Sequence, residues 1–184
     1  MDLSVLLPDS GRATAESVAG LVLDNPVFFE EIYNACYSSK GKIPMRASRV
    51  IEICSVRDPD RVKSYLHDII RRLPGLTDES VKRNFLKTLL NYPVDYEEDL
   101  LGLLVDYCFG RLHDIGEPVA VRAYAMTLLY EITLLVPELT DELRESILLY
   151  FDSGSAGYQA RGIEILKRID TANNDYKTGR NTDT

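Results

Sequence analysis

The sequence predicts an all-α fold, a right-handed superhelix of about nine helices arranged in antiparallel pairs. Three observations carry this. A basic residue recurs at Arg46, Lys82, Arg122 and Arg161, spaced by 36, 40 and 39 residues. Each copy follows an apolar residue and precedes apolar ones four and eight positions on: Val50 and Cys54, Leu86 and Leu90, Met126 and Tyr130, Ile165 and Ile169. Such a period is what stacked helical pairs leave, because every pair buries the same face against its neighbours. Prolines and capping residues punctuate the copies, and no segment alternates as a strand bounded by turn dipeptides.

The elements follow in order. Residues 14–23 form a first helix, ended by Asp24-Asn25-Pro26. Asn25 caps the second, 26–38, whose first position suits Pro26 because its missing N–H has no helical partner to lose. Val27, Ile32, Ala35 and Cys36 share a face there, and Phe28 and Phe29 are expected between neighbours. Ser39-Lys40-Gly41-Lys42 is a loop, and Pro44 opens a third helix to Val56. Asp58-Pro59 repeats the cap-and-proline device for a helix over 59–73, with Val62, Tyr65, Leu66, Ile69, Ile70 and Leu73 on one stripe.

Pro74-Gly75 stops that helix, and Thr77 is expected to cap the next, 77–91, with Asp78 and Glu79 against its partial positive charge. Asp95 with Glu98 resembles a capping box for 96–112, an apolar helix suited to the middle of a stack. Gly116-Glu117-Pro118 starts what should be the longest helix, to Val136. Thr140 starts another to Asp152, and 156–169 closes the array. Residues 1–170 are thus one helical-repeat domain, and the polar stretch 171–184 is an expected disordered tail.

This arrangement resembles the HEAT-repeat, armadillo-like α-solenoid family over about residues 12–169. Asp58-Pro59-Asp60 and Pro118-Val119-Ala120-Val121-Arg122-Ala123 carry the likeness best. Lys82 in place of arginine and the glycine after Arg161 depart from it. The resemblance implies two layers of helices, the second lining a concave surface. The tetratricopeptide pattern, with its fixed length and Trp/Gly/Tyr signature, does not fit.

The chain has 184 residues, 45% of them apolar, and a net charge of −8. An acidic balance opposes chain-wide attraction to nucleic acid or anionic membranes. The charge is polarised, however: residues 40–87 hold twelve Lys/Arg against six Asp/Glu, a local balance of +6. No apolar stretch has the length of a membrane span, and Met1 to Pro8 lacks the basic start of a secretory leader. Cys36, Cys54 and Cys108 are scattered and odd in number, which suits buried, reduced thiols in a cytoplasm.

Catalytic chemistry finds no constellation. Cations flank His67 at Lys63 and Arg71 and repel a metal, while His113 sits at a helix C-terminus. Cys108 and His113, five positions apart, fall on different faces. Zinc spacings, glycine-rich phosphate loops and a Gly-x-Ser-x-Gly elbow are missing from the sequence. No cofactor, metal or catalytic residue is therefore expected. Asp106 and Glu131 interrupt apolar helices and should be half-buried beside Arg111 or Arg122. Tyr65, Tyr107, Tyr124, Tyr130 and Tyr150 should sit at the core edge with hydroxyls reaching water.

The expectation is a non-enzymatic protein-interaction or scaffold module, its partner a protein or peptide, a second copy of the chain included. Lys63, His67, Arg71, Asp99, Leu103 and Arg144 are the candidate partner-binding residues. Two alternatives remain open: a self-associating structural protein, and a nucleic-acid binder using residues 40–87, as helical-repeat DNA glycosylases use cations on a concave surface. Missing tryptophan and the acidic total weigh against the second.

Overall fold

The computed structural model describes residues 2–39 and 41–179, so Met1, Lys40 and 180–184 lie outside the described residues. Those residues form eleven α-helices and no strand. They are α1 (Leu3–Leu6), α2 (Arg12–Leu23), α3 (Pro26–Ala35), α4 (Ile43–Arg57), α5 (Pro59–Lys63), α6 (Leu66–Arg72), α7 (Glu79–Leu89), α8 (Glu98–His113), α9 (Val119–Thr133), α10 (Thr140–Leu149) and α11 (Ala156–Gly179). Short 3-10 turns cover Leu73–Gly75 and Pro137–Leu139. The chain resolves into two compact units, Met1–Leu103 and Leu104–Thr184, with the boundary inside α8.

The count exceeds nine because α1 is an addition and the helix expected over 59–73 is two. Neither glycine nor proline marks that break at Ser64-Tyr65. Tyr65 N–H instead makes a tight turn to Val62 O at 2.9 Å, and its ring packs against Phe29 and Tyr33, centroids 5.1 and 4.5 Å away. Aromatic packing between pairs outweighs the gain from one continuous helix. In α3 the apolar face is set the same way: Phe29, Ile32, Ala35 and Cys36 are buried, but Val27 is 63% exposed and Phe28 lies at the surface.

In the first unit α4 packs between α2 and α7, forming a layer of first helices, with α3 and α5 against α4. Ala19, Val22, Phe29, Ile32, Ala47, Val50, Ile51, Val62, Ile69, Phe85 and Leu86 fill the core. Each of the larger side chains stabilises by about 1.5–3 kcal/mol when removed from water, and the alanines by about 0.8 kcal/mol. The α4–α7 seam is also polar, through Ser48 with Asn84 at 2.9 Å and Ser55 with Asn91 at 2.8 Å. A Glu52–Lys87 ion pair at 2.7 Å lies between them in sequence.

In the second unit α9 packs against α10 and α11 over Val121, Ala125, Met126, Leu129, Ile132, Ile147, Tyr158, Ile165 and Ile169. The glycine after Arg161 has a packing reason, since a Cβ at Gly162 would lie 3.0 Å from Ile147 Cγ2. Helix α9 has 15 residues, so it is shorter than α8 and α11 and not the longest helix. The α11 backbone continues beyond the expected end at 169 to Gly179.

Local caps decide most boundaries. Asn25 accepts from Val27 and Phe28 N–H at 3.0 and 3.4 Å, and Asp58 from Arg61 N–H at 3.2 Å, both as the sequence suggests. Asp78, not Thr77, caps α7, accepting from Ser80 and Val81 N–H at 2.8 and 3.0 Å. Helix α8 starts later than Asp95 implies, with Glu97 O accepting from Leu100 and Leu101 N–H.

Candidate functional site

The recurring basic residue has a structural role in at least two copies. Arg46 donates to Leu7 O at 2.7 Å, and Arg122 Nε donates to Leu112 O at 3.1 Å in the last turn of α8. These guanidiniums satisfy helix-end carbonyls that have no partner within their own helix. Arg122 is buried, with its charge 4.3 Å from the Tyr158 ring centroid. Lys82 is likewise buried, and Arg161 pairs with Glu164 at 2.9 Å.

Much of the positive segment is spent in the same way. Arg57 donates to Glu16 O at 2.8 Å, Arg61 pairs with Asp58 at 3.9 Å, and Arg72 pairs with Asp68 at 3.0 Å. Lys63, His67 and Arg71 are different, for all three are exposed on the second helices of the first unit. Among the described residues the side chains of Lys63 and Arg71 make no ion pair or hydrogen bond. His67 has the Tyr96 ring 6.1 Å away, edge-on. The break at Ser64-Tyr65 puts Lys63 at the end of α5 and the other two on α6.

The remaining candidates lie on other elements. Asp99 is exposed in the first turn of α8, and Leu103 is half-buried in the same helix. Arg144, in the second unit, is held by Asp170 of α11. Asp106 is exposed and not half-buried, because it faces away from the Leu100, Leu104, Cys108 and Leu112 stripe. Glu131 meets Arg168 at 3.5 Å, a residue of α11 and neither of the expected partners. Tyr107 and Tyr130 are buried, and the Tyr107 hydroxyl is enclosed, which corrects its expected reach to water.

Sequence reasoning missed what surrounds Arg71. Residues between α3 and α4, at the end of α6 and between α6 and α7 line an open groove of about 510 Å³, among them Tyr37, Ser38, Arg71, Arg72, Thr77 and Asp78. One wall is a hydrogen-bonded chain. The Tyr37 and Tyr33 hydroxyls are 3.0 Å apart, Tyr33 donates to Asp68 at 2.7 Å, and Arg72 lies 4.5 Å above the Tyr37 ring centroid. Burial foremost pushes the Tyr33 and Tyr37 phenols well above their ordinary range, so both stay neutral donors at neutral pH.

Cys36, Cys54 and Cys108 are buried, and burial pushes each thiol up, Cys54 to about 12. None has the low pKa of a nucleophile. Among the described residues no three of His, Cys, Asp and Glu gather as a metal site, and no helix is long and apolar enough to cross a membrane. A family model for the HEAT repeat domain matches residues 5–169. No curated protein and no solved structure matches the chain.

Proposed function

The chain belongs to the HEAT repeat domain family, and from that premise we propose that it is a non-enzymatic protein-interaction module. Its docking surface is the exposed side of α5 and α6, and its partner is a protein or peptide. One observation carries this reading: Lys63 and Arg71 stay exposed and unpaired among the described residues, while Arg46, Arg57, Arg61, Arg72 and Lys87 are committed to internal contacts. Charge that folding does not use is available for recognition, and exposed Arg and Lys steer and orient partners. The three buried thiols support a reducing compartment such as the cytoplasm.

Affinity capture from the native cell, comparing the wild-type chain with a Lys63→Glu/Arg71→Glu variant at low salt, tests this. A specific protein recovered by the first and lost by the second is the expected result. Duplex binding that falls steeply with salt would favour the nucleic-acid reading instead. A salt-sensitive oligomer of the purified chain by light scattering would favour self-association.

A further inference from the structure

The groove beside Arg71 has a sign as well as a size. Arg72 is fixed by Asp68 and Tyr37, whereas Arg71 is exposed with no side-chain partner among the described residues. Asp78 is the carboxylate in the lining, and its Oδ1 is engaged by the Ser80 and Val81 N–H groups. The lining therefore sets two guanidiniums against one carboxylate, and Arg71 is the guanidinium left without a partner among the described residues.

A carboxylate matches that set, because the arginine fork presents two parallel N–H donors to its two oxygens. We infer that the groove binds carboxylate side chains of an acidic segment on a partner protein, with Arg71 holding the carboxylate. This rests on the interaction-module reading above. Charge complementarity selects the occupant. Residues 40–87 carry twelve Lys/Arg against six Asp/Glu within a chain of net −8. At physiological ionic strength fields fade over about 8 Å, so the groove's own cations outweigh acids elsewhere in the chain. The volume of about 510 Å³ accommodates several side chains of an extended peptide.

The experiment is fluorescence anisotropy with a labelled Glu-Ala repeat peptide of about twelve residues, a span suited to peptide recognition, and its Gln-Ala counterpart. The wild-type chain should bind the first and not the second. Arg71→Glu should weaken binding about tenfold or more, and Arg71→Lys less than Arg71→Glu. Arg12→Gln, a change outside the groove, should leave binding as it is. Thermal melts of each variant separate misfolding from lost contacts.

No binding by the wild-type chain overturns the inference. So does equal binding of the Gln peptide, an unchanged Kd in Arg71→Glu, or preference for a short DNA duplex over the peptide. A captured partner that depends on Lys63 but competes with no acidic peptide removes the groove and leaves the interaction module standing. Acidic-peptide binding with no specific partner captured does the reverse.

Discussion

Asn84 Nδ2 donates to Ser48 Oγ at 2.9 Å across the α4–α7 seam, and both residues are buried. Ser48 donates its own O–H to Met45 O at 3.0 Å, so the hydroxyl uses its donor and at least one acceptor site. The same pairing returns seven residues on, where Asn91 donates to Ser55 Oγ at 2.8 Å and Ser55 donates to Glu52 O at 2.7 Å. Each pair spans 36 residues, the first interval of the recurring basic residue. The repeat is therefore written in hydrogen bonds as well as in apolar spacing.

Truncating Asn84 to alanine leaves the Ser48 hydroxyl short of a donor in a buried seam, and the expected loss is about 1–3 kcal/mol in urea denaturation. Adding Ser48→Ala should return part of it, with a coupling energy of about 1 kcal/mol in a double-mutant cycle. Additive losses would mean that the two side chains do not stabilise each other.

Arg122 is an internal polar anchor of the second unit. It donates to Leu112 O at 3.1 Å and lies over the Tyr158 ring, whose hydroxyl donates to Ile147 O at 3.2 Å. Arg122→Ala should cost about 3 kcal/mol or more, since it opens a cavity and leaves a helix-end carbonyl unpaired. Arg122→Lys should recover little, because an ammonium lacks the planar face that stacks on tyrosine. Chemical denaturation of both variants checks the order.

Legibility followed the range of the determining interaction. Asn25-Pro26 and Asp58-Pro59 act within a few residues, and their caps stand where the sequence puts them. The break at Ser64-Tyr65 depends on Phe29 and Tyr33, more than thirty positions away, and no local residue announces it. Likewise Arg144 reads as a free cation until α11 brings Asp170 to it. At the candidate site, Lys63, His67 and Arg71 were legible as exposed polar residues, because a helix with one apolar stripe must show its other side to water. The groove was not legible: Ser38 and Arg71 come from successive loops and helices whose approach is set by stacking.

Alkaline pH should expose the half-buried tyrosines near the α7–α8 connection. Burial foremost, aided by Asp58, Tyr96 and Asp60, pushes the Tyr92 phenol up to about 12; burial and then Asp95 do the same for Tyr96, to about 12. The unfolded chain titrates these groups near ~10. Below that pH both states keep the proton, and the stabilisation is fully present. Between about 10 and 12 the unfolded state releases protons that the folded state retains, so stability falls as pH rises. Urea midpoints across this window should decline, and the decline should be shallower in Tyr92→Phe and Tyr96→Phe. An identical slope in both variants would assign the effect to other groups.

Two glycines should respond oppositely to the same substitution. A Cβ at Gly154 would stand 2.6 Å from Tyr158 Cδ1 and 2.9 Å from Tyr150 O, so the chain between α10 and α11 must shift. The backbone oxygen cannot swing aside as a side-chain tip can, and Gly154→Ala should destabilise by about 1–3 kcal/mol. At Gly110, exposed within α8, a Cβ meets nothing within 4 Å, and its φ is not in the left-handed region. Gly110→Ala should stabilise by about 0.4–1 kcal/mol by narrowing the unfolded ensemble. Thermal melts of the two variants should therefore move in opposite directions, and a shared direction would contradict the packing assigned to the α10–α11 turn.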